Sequence, residues 1–268
     1  CRASMKAFTA RRRSKGAALR AARCIRDGIG KRGTRRAALE RRASASSFIH
    51  STLIHSAAAG LPSAEHTMPT YPDLKLYIDG QWRSASETMP VINPSDESTI
   101  GALPVARQSD LDDALEAAAK GLKTWSRTAP RKRAEIMMRA SALLRERNEE
   151  IAYTISSELG KPIRQARMEV IRGCEFFEWD AGEAQRMYGR VIPSEPGIRY
   201  MTVHQPIGTV AAFSPWNFPM SQPARKVAGA LASGCSIILK AAEETPGGAV
   251  HIARAFHDGG GDQGHRLG

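Results

Sequence analysis

Residues 208–246 read GTVAAFSPWNFPMSQPARKVAGALASGCSIILKAAEETP, and the punctuation of this stretch decides the fold. Gly208–Phe213 is a short run of β-favouring residues bounded by turn formers. Ser214–Pro219 is a turn stiffened by two prolines, which hold φ near one value. A helix is predicted over about 221–233, stopped by Gly234, and Cys235–Leu239 forms a short apolar strand. A second helix starts at Thr245. Strand, helix, strand, helix at this spacing is a βαβ unit, so the class is α/β with a parallel sheet. In open sheets of this kind, ligands bind beyond the carboxyl ends of the strands. Two polar clusters stand there: Ser214-Pro215-Trp216-Asn217-Phe218-Pro219 and Lys240-Ala241-Ala242-Glu243. Taken singly, each cluster reads equally well as packing, with Trp216 and Phe218 plugging the end of the sheet.

Upstream, residues 74–82 alternate around Asp79-Gly80 and predict a β-hairpin. Residues 91–105 are strand-like, broken at Asn93-Pro94 and at Gly101. Helical periodicity follows. The first helix opens with a capping-box-like Ser109 and Asp112 and turns Leu111, Ala114, Leu115, Ala118, Leu122 and Trp125 inward. The second runs from about Pro130 to Arg147. The third, Glu149–Leu159, stops at Gly160 with Pro162 beyond it. The fourth spans about 162–188 and buries Ile163, Ala166, Val170, Cys174, Phe177 and Ala181. Tyr200–Gln205 returns to strand character.

The net charge of +12 is unevenly placed. Residues 1–67 hold 15 of the 39 Lys+Arg and only three of the 27 Asp+Glu, so the entire excess lies there. This leader is rich in Arg, Ala, Ser and Gly and is too poor in apolar residues to offset its ordering entropy, so it is expected to be disordered. An acid-poor, Arg- and Ser-rich leader resembles a mitochondrial transit peptide. A basic arm also suits nucleic acid, although the interleaved aromatics that stack on bases are missing, and a non-catalytic chain that binds nucleic acid or protein through this leader is the alternative reading. The third account, which we favour, is that residues 1–67 are no biological segment, since patterning begins at Met68. The domains expected are therefore a disordered leader over 1–67, a partial nucleotide-binding domain over 68–258 and an aberrant tail over 259–268. The four cysteines show no CxxC and no pairing, so neither a disulfide framework nor a metal site is expected. No apolar run is long enough to cross a bilayer, and a reducing cytoplasmic location is expected, or the mitochondrial matrix if the leader is a transit peptide.

Taken together, PWNFP, then Arg225-Lys226, then GCSIILKAAEETP resemble the aldehyde dehydrogenase superfamily. YIDGQW, VINPSDES, APRKRAEIM and SELGKPI upstream agree with it, so the resemblance covers about residues 74–258. It looks most like the semialdehyde branch, which includes succinate- and 2-oxoglutarate-semialdehyde enzymes. The resemblance implies a Rossmann-type NAD(P)-binding domain, incomplete here, that does without the usual glycine-rich loop. It also implies a hairpin around 190–210 from an oligomerisation domain, NAD as cofactor with NADP possible, an aldehyde substrate and a homo-oligomer for the full-length enzyme. No nucleic-acid or membrane partner is implied. By position, Asn217 would donate its amide to the oxyanion formed when a thiolate attacks the aldehyde. Lys240 and Glu243 would bond the adenosine ribose, with Ser214, Trp216, Asn217 and Ala242 lining the cofactor site. Arg225 would pair with a distal substrate carboxylate, although an exposed helix cation is an equal reading.

Gly259-Gly260-Gly261-Asp262-Gln263-Gly264 spells GxGxxG but follows a helix instead of a strand, so it is no dinucleotide fingerprint. After Asp258 the text leaves the family pattern, which suggests a frameshift or a truncated frame. The second cofactor loop, the nucleophilic cysteine and the glutamate base would lie in what is missing. Cys174 sits on a buried helical stripe and Cys235 opens a core strand, so both read as packing cysteines. The pairs Asp112/Asp113 and Glu149/Glu150 read as helix-start charges.

Overall fold

The computed structural model describes residues 69–260. The leader expected over 1–67 lies outside the described residues, and so does the tail expected over 259–268 except Gly259 and Gly260, which belong to the last helix. Among the described residues the strands make four two-stranded sheets. The first is the predicted hairpin of β1 (Leu76–Ile78) and β2 (Gln81–Arg83), paired antiparallel. Asp79 and Gly80 both take positive φ, 49° and 75°, which gives a two-residue turn the twist that flanking strands need.

Residues 91–105 turn out to be part of a second hairpin, β3 (Thr88–Ile92) with β4 (Thr99–Pro104). The break at Asn93 holds, because its side chain accepts from the Ser95 amide at 2.9 Å. The break at Gly101 does not, since this glycine lies inside β4. The ring of Tyr71 occupies the place of its side chain, and a Cβ there would lie 2.5 Å from Tyr71 Cε1.

Four helices follow: α1 (Gln108–Trp125), α2 (Pro130–Glu146), α3 (Asn148–Leu159) and α4 (Ile163–Ala184). In the first turn of α1 it is Asp110, instead of Asp112, that accepts from a preceding backbone N–H, that of Arg107 at 2.8 Å. Only part of the apolar face predicted for α1 is used: Ala118 and Trp125 are buried, but Leu111 and Leu115 are 45% and 49% exposed. The helix packs on β1 and on a short parallel sheet, and Leu111 and Leu115 fall outside the faces so covered. Ile163 is also exposed, because it opens α4 before the helix reaches the core. The helix ends at Ala184, four residues earlier than 188. The other stripe residues of α4 are buried, and Phe177 meets Phe256 edge-on at 5.3 Å between ring centres. Gly160 ends α3 in the left-handed region, φ 70°, as its sequence demands.

A small hairpin of β5 (Arg190–Ile192) and β6 (Tyr200–Thr202) precedes the βαβ unit. In that unit β7 (Thr209–Phe213) and β8 (Ser236–Lys240) run parallel, in register from Thr209 opposite Ser236 to Phe213 opposite Lys240. Helix α5 (Ser221–Ala232) crosses between them and α6 (Gly247–Gly260) follows. Cys235 is buried just ahead of β8. The core lies between α2, α4, α5 and α6, with α3 closing one side.

Buried polar groups fix how these helices meet. Glu169 of α4 accepts from the backbone N–H groups of Met220 and Ser221, at 3.0 and 3.2 Å, where α5 begins. At the other end of α5, Trp125 Nε1 donates to Leu231 O at 2.9 Å and Arg133 to Ala232 O at 3.2 Å. Glu158 of α3 accepts from Gly247 N at 2.7 Å, at the start of α6, and from the Tyr71 hydroxyl. Burial raises the Glu158 carboxyl from its ordinary 4.5 to about 7, against the lowering effect of those two hydrogen bonds. Burial first, then the charges of Arg254 and Arg147, lowers His251 to about 3. His251 is therefore neutral. The Thr154 hydroxyl donates to Glu150 O at 3.0 Å, so His251 Nε2, 3.1 Å away, carries the proton and donates to Thr154.

These two groups give opposite pH dependences. A depressed His251 favours folding above pH 6.5 and loses that contribution as pH falls toward about 3. A raised Glu158 favours folding below pH 4.5 and loses its contribution as pH rises through about 7. Denaturant unfolding between pH 7 and 4.5 should thus show a shallow net slope. His251→Leu should make stability rise on acidification, and Glu158→Gln should make it fall more steeply, each by up to about 1.4 kcal/mol per pH unit. Parallel curves for the three proteins would refute the assignment.

Candidate functional site

The parallel register brings the ends of β7 and β8 side by side, and Ser214 N donates to Lys240 O at 3.1 Å just past them. From there Ser214–Met220 forms a loop whose residues 215–218 are exposed while Pro219 and Met220 are buried. Its backbone is held at several points. Thr245 Oγ1 donates to Trp216 O at 3.1 Å, and Lys161 Nζ to Asn217 O at 3.3 Å. The same Lys161 ammonium sits 4.4 Å from the centre of the Phe218 ring. Glu169 takes the next two free amides of the loop. Gly248 lies against it: a Cβ there would come within 2.3 Å of Pro219 O.

The Asn217 side chain is exposed and hydrogen-bonds no other described residue, so its amide is free to donate outward from an anchored backbone. Ser214 Oγ is buried without a partner. At the end of β8, Lys240 Nζ contacts Glu243 Oε1, with both side chains half-exposed. The hydrogen bond from Lys240 holds the Glu243 carboxyl below its ordinary range. Trp216 is exposed in the loop that follows β7, and Ala242 is buried two residues past the end of β8. A cation, a carboxylate, an unspent hydroxyl and an exposed indole at adjacent strand ends suit a ligand that carries hydroxyl groups and a flat ring. The residues present therefore fit a dinucleotide.

Six of the seven predicted site residues gather at this edge. Arg225 does not join them. It lies on the exposed face of α5, its guanidinium 5.9 Å from the centre of the Phe176 ring. Its charge also offsets part of the rise that burial and Glu183 impose on the Asp180 carboxyl of α4. Four residues that anchor the loop were not singled out in the sequence: Lys161, Glu169, Thr245 and Gly248. A usable sign existed for Glu169, an acid three residues from Ala166 on the buried stripe of α4, where a carboxylate needs partners. A basic concavity lined by Lys123, Arg127 and Lys132 lies on other helices and holds none of these residues. Among the described residues no group of three His, Cys, Asp or Glu is placed to hold a metal. No described helix is long and apolar enough to cross a membrane.

Residues 82–265 match the model of the aldehyde dehydrogenase family. The chain belongs to that family. A 4-(hydroxymethyl)benzenesulfonate dehydrogenase of Comamonas testosteroni is 42% identical over 175 residues, covering 64% of this chain and 37% of that protein. The crystal structure of succinate-semialdehyde dehydrogenase from Burkholderia pseudomallei superposes with a TM-score of 0.67 at 35% identity, over 69% of this chain and 39% of its own. That of PnpE in complex with nicotinamide adenine dinucleotide gives a TM-score of 0.68 at 33% identity, over 72% and 39%. This aldehyde dehydrogenase chain thus spans well under half the length of the relatives it matches.

Neither described cysteine is placed to react. Both are free and buried, and burial pushes the Cys174 thiol up to about 11. Thiolate is the nucleophilic form, so little of it exists at Cys174 near neutrality. Alkylation of the native protein with iodoacetamide at pH 7 should leave both cysteines unmodified, while denaturant should expose both, as read by peptide mass spectrometry. Rapid native labelling of either would overturn the packing role.

Proposed function

We propose that this chain works as part of an NAD-dependent dehydrogenase that oxidises an aldehyde with a distal anionic group, such as succinate semialdehyde, to the carboxylic acid. The observation that carries the reading is Asn217 standing with Lys240 and Glu243 at adjacent ends of two parallel strands. When a thiolate adds to the aldehyde carbon, the carbonyl oxygen becomes an anion. The Asn217 amide donates to it from a backbone already fixed, the preorganised arrangement that makes such donors effective. NAD, when bound, would accept the hydride that leaves that carbon, and water would then cleave the resulting thioester to the carboxylic acid and the free thiol. Lys240 and Glu243 would hold the ribose hydroxyls, and Ser214, Trp216 and Ala242 would line the rest. The thiolate itself comes from neither Cys174 nor Cys235, so we read the nucleophile as lying outside the described residues and expect no turnover without it.

Arg225 stands apart from the strand-end cluster, one turn into α5 beyond the Asn217 loop, and on the family resemblance it is proposed as the partner of the substrate anion. The sulfonate and succinate in the names of two relatives each carry charge away from the reacting carbon, which supports this class. The exposed β5–β6 hairpin bears Val191, Tyr200 and Met201 at its surface and is proposed as a self-association element. A reducing cytoplasmic compartment suits the free thiols, and no nucleic-acid role is proposed.

In active enzyme, Asn217→Ala should lower kcat by about 10²–10³ with little change in KM, the usual cost of one oxyanion donor. Arg225→Ala should instead raise KM for succinate semialdehyde far more than for butanal, because the paired charge is lost. Equal effects on the two aldehydes would make Arg225 structural.

Glu243 also sets cofactor choice. Its carboxylate accepts from ribose hydroxyls and repels a 2′-phosphate, so kcat/KM should favour NAD over NADP, with Glu243→Gln narrowing the ratio. An NADP preference in the unaltered enzyme would refute the ribose contact.

A further inference from the structure

The Asn217 loop is not held by its prolines alone. Lys161 and Glu169 form an ion pair with side chains only 12% and 4% exposed. Each also grips the loop directly. Glu169 Oε1 takes the N–H groups of Met220 and Ser221, while Lys161 reaches Asn217 O and the Phe218 ring. The two residues stand at opposite ends of one stretch: Lys161 just before α4, Glu169 two turns into it. They meet the loop on either side of Pro219, so the chain from Asn217 to Ser221 is tied to α4 and to the residue pair just ahead of it.

We propose that the buried Lys161–Glu169 pair is the positioning device for Asn217, setting the direction of its amide without touching substrate. Burial explains why a pair is used. A lone charge there would be costly, whereas the pair satisfies itself and spends its remaining valences on the loop. The cation fixes a carbonyl and a ring, and the anion fixes two amides at a helix start where negative charge is favoured. The four contacts fall on consecutive loop positions, Asn217, Phe218, Met220 and Ser221, with only proline between them. Packing alone needs no such sequence of directed bonds. This inference rests on the reading of Asn217 as oxyanion donor for its catalytic consequence, but not for the clamp itself.

Two measurements separate those claims. The first is amide hydrogen exchange of Met220 and Ser221 in the 268-residue chain. Glu169→Leu paired with Lys161→Met, which leaves no unpaired buried charge, should speed both amides by about ten- to a hundredfold, with the amides of α2 unchanged. Unchanged exchange at Met220 and Ser221 would overturn the clamp, whatever Asn217 does. Should this double variant unfold, Lys161→Arg and Glu169→Gln, which keep a donor and an acceptor, serve as graded substitutes. The second is a mutant cycle on kcat for succinate semialdehyde in the active enzyme. Lys161→Met should lower kcat at least tenfold with KM nearly unchanged, and Lys161→Arg should restore part of it. In an Asn217→Ala background, Lys161→Met should cost almost nothing more, because it acts through Asn217. Full additivity would refute the positioning role. If Asn217→Ala alone leaves kcat intact, the oxyanion reading fails while the exchange result still judges the clamp.

Discussion

Helix α5 is held between two buried charges of opposite sign. The Glu169 carboxylate closes its first turn, and the Arg133 guanidinium, with the Trp125 indole, closes its last. A helix presents free N–H groups at one end and free carbonyls at the other, so each charge meets the end that attracts it. Because α5 connects β7 to β8, fixing both its ends fixes where one strand stops and the next begins. Twelve residues of helix span about 18 Å, and the register of Phe213 beside Lys240 depends on that span being returned without slack. Gly234, with φ 83°, completes the return and packs against both Pro206 and Arg133. The two strand-end clusters are neighbours because the helix between them cannot shift.

The same arrangement accounts for the missing glycine-rich loop. In the usual dinucleotide fold the first turn of the helix offers its amides to a phosphate, and glycines let the phosphate approach. Here the amides of Met220 and Ser221 are already spent on Glu169, and Gly247 N on Glu158. The protein's own carboxylates sit where a ligand anion would. What remains for recognition at this edge is side chains: the Ser214 hydroxyl, the Asn217 amide, Lys240 and Glu243. That is a site suited to neutral hydroxyls and to a developing oxyanion, and poorly suited to capture a phosphate at α5.

Most of this fold was legible from periodicity and punctuation. The Asp79-Gly80 turn, the Gly160 stop and the apolar stripe of α4 from Ala166 to Ala181 each follow from one local rule, and each stands as read. The failures share a cause. Leu111, Leu115 and Ile163 satisfy helical spacing but find nothing opposite them, and spacing says which face is apolar without saying how far the partner extends. Gly101 reads as a break until Tyr71, thirty residues away, is seen filling its side-chain space. The polar anchors were invisible for a related reason. Lys161 lies in a stretch whose resemblance to the family was plain, but Asn217 and Phe218 are brought to it only by tertiary packing. A sequence shows that a buried acid needs satisfaction and cannot name the amides that provide it.

Burial also separates two ion pairs of the same residue types. Lys161–Glu169 and Lys240–Glu243 are both lysine–glutamate contacts beside the same loop. The first is almost wholly removed from water, so parting it leaves an uncompensated charge, a loss of about 3–5 kcal/mol where such pairs have been broken. The second is half-exposed, and pairs of that kind contribute only about 0–1 kcal/mol. A hydrogen bond from a ligand hydroxyl to a charged group is worth about 1.5–3 kcal/mol, more than enough to replace the second pair and too little to replace the first. The inner pair is therefore fixed structure, whereas the half-exposed outer pair is open to exchanging its partner for a hydrogen-bonding group from solvent or ligand. One edge of the molecule so combines a rigid support for Asn217 with groups free to change contacts.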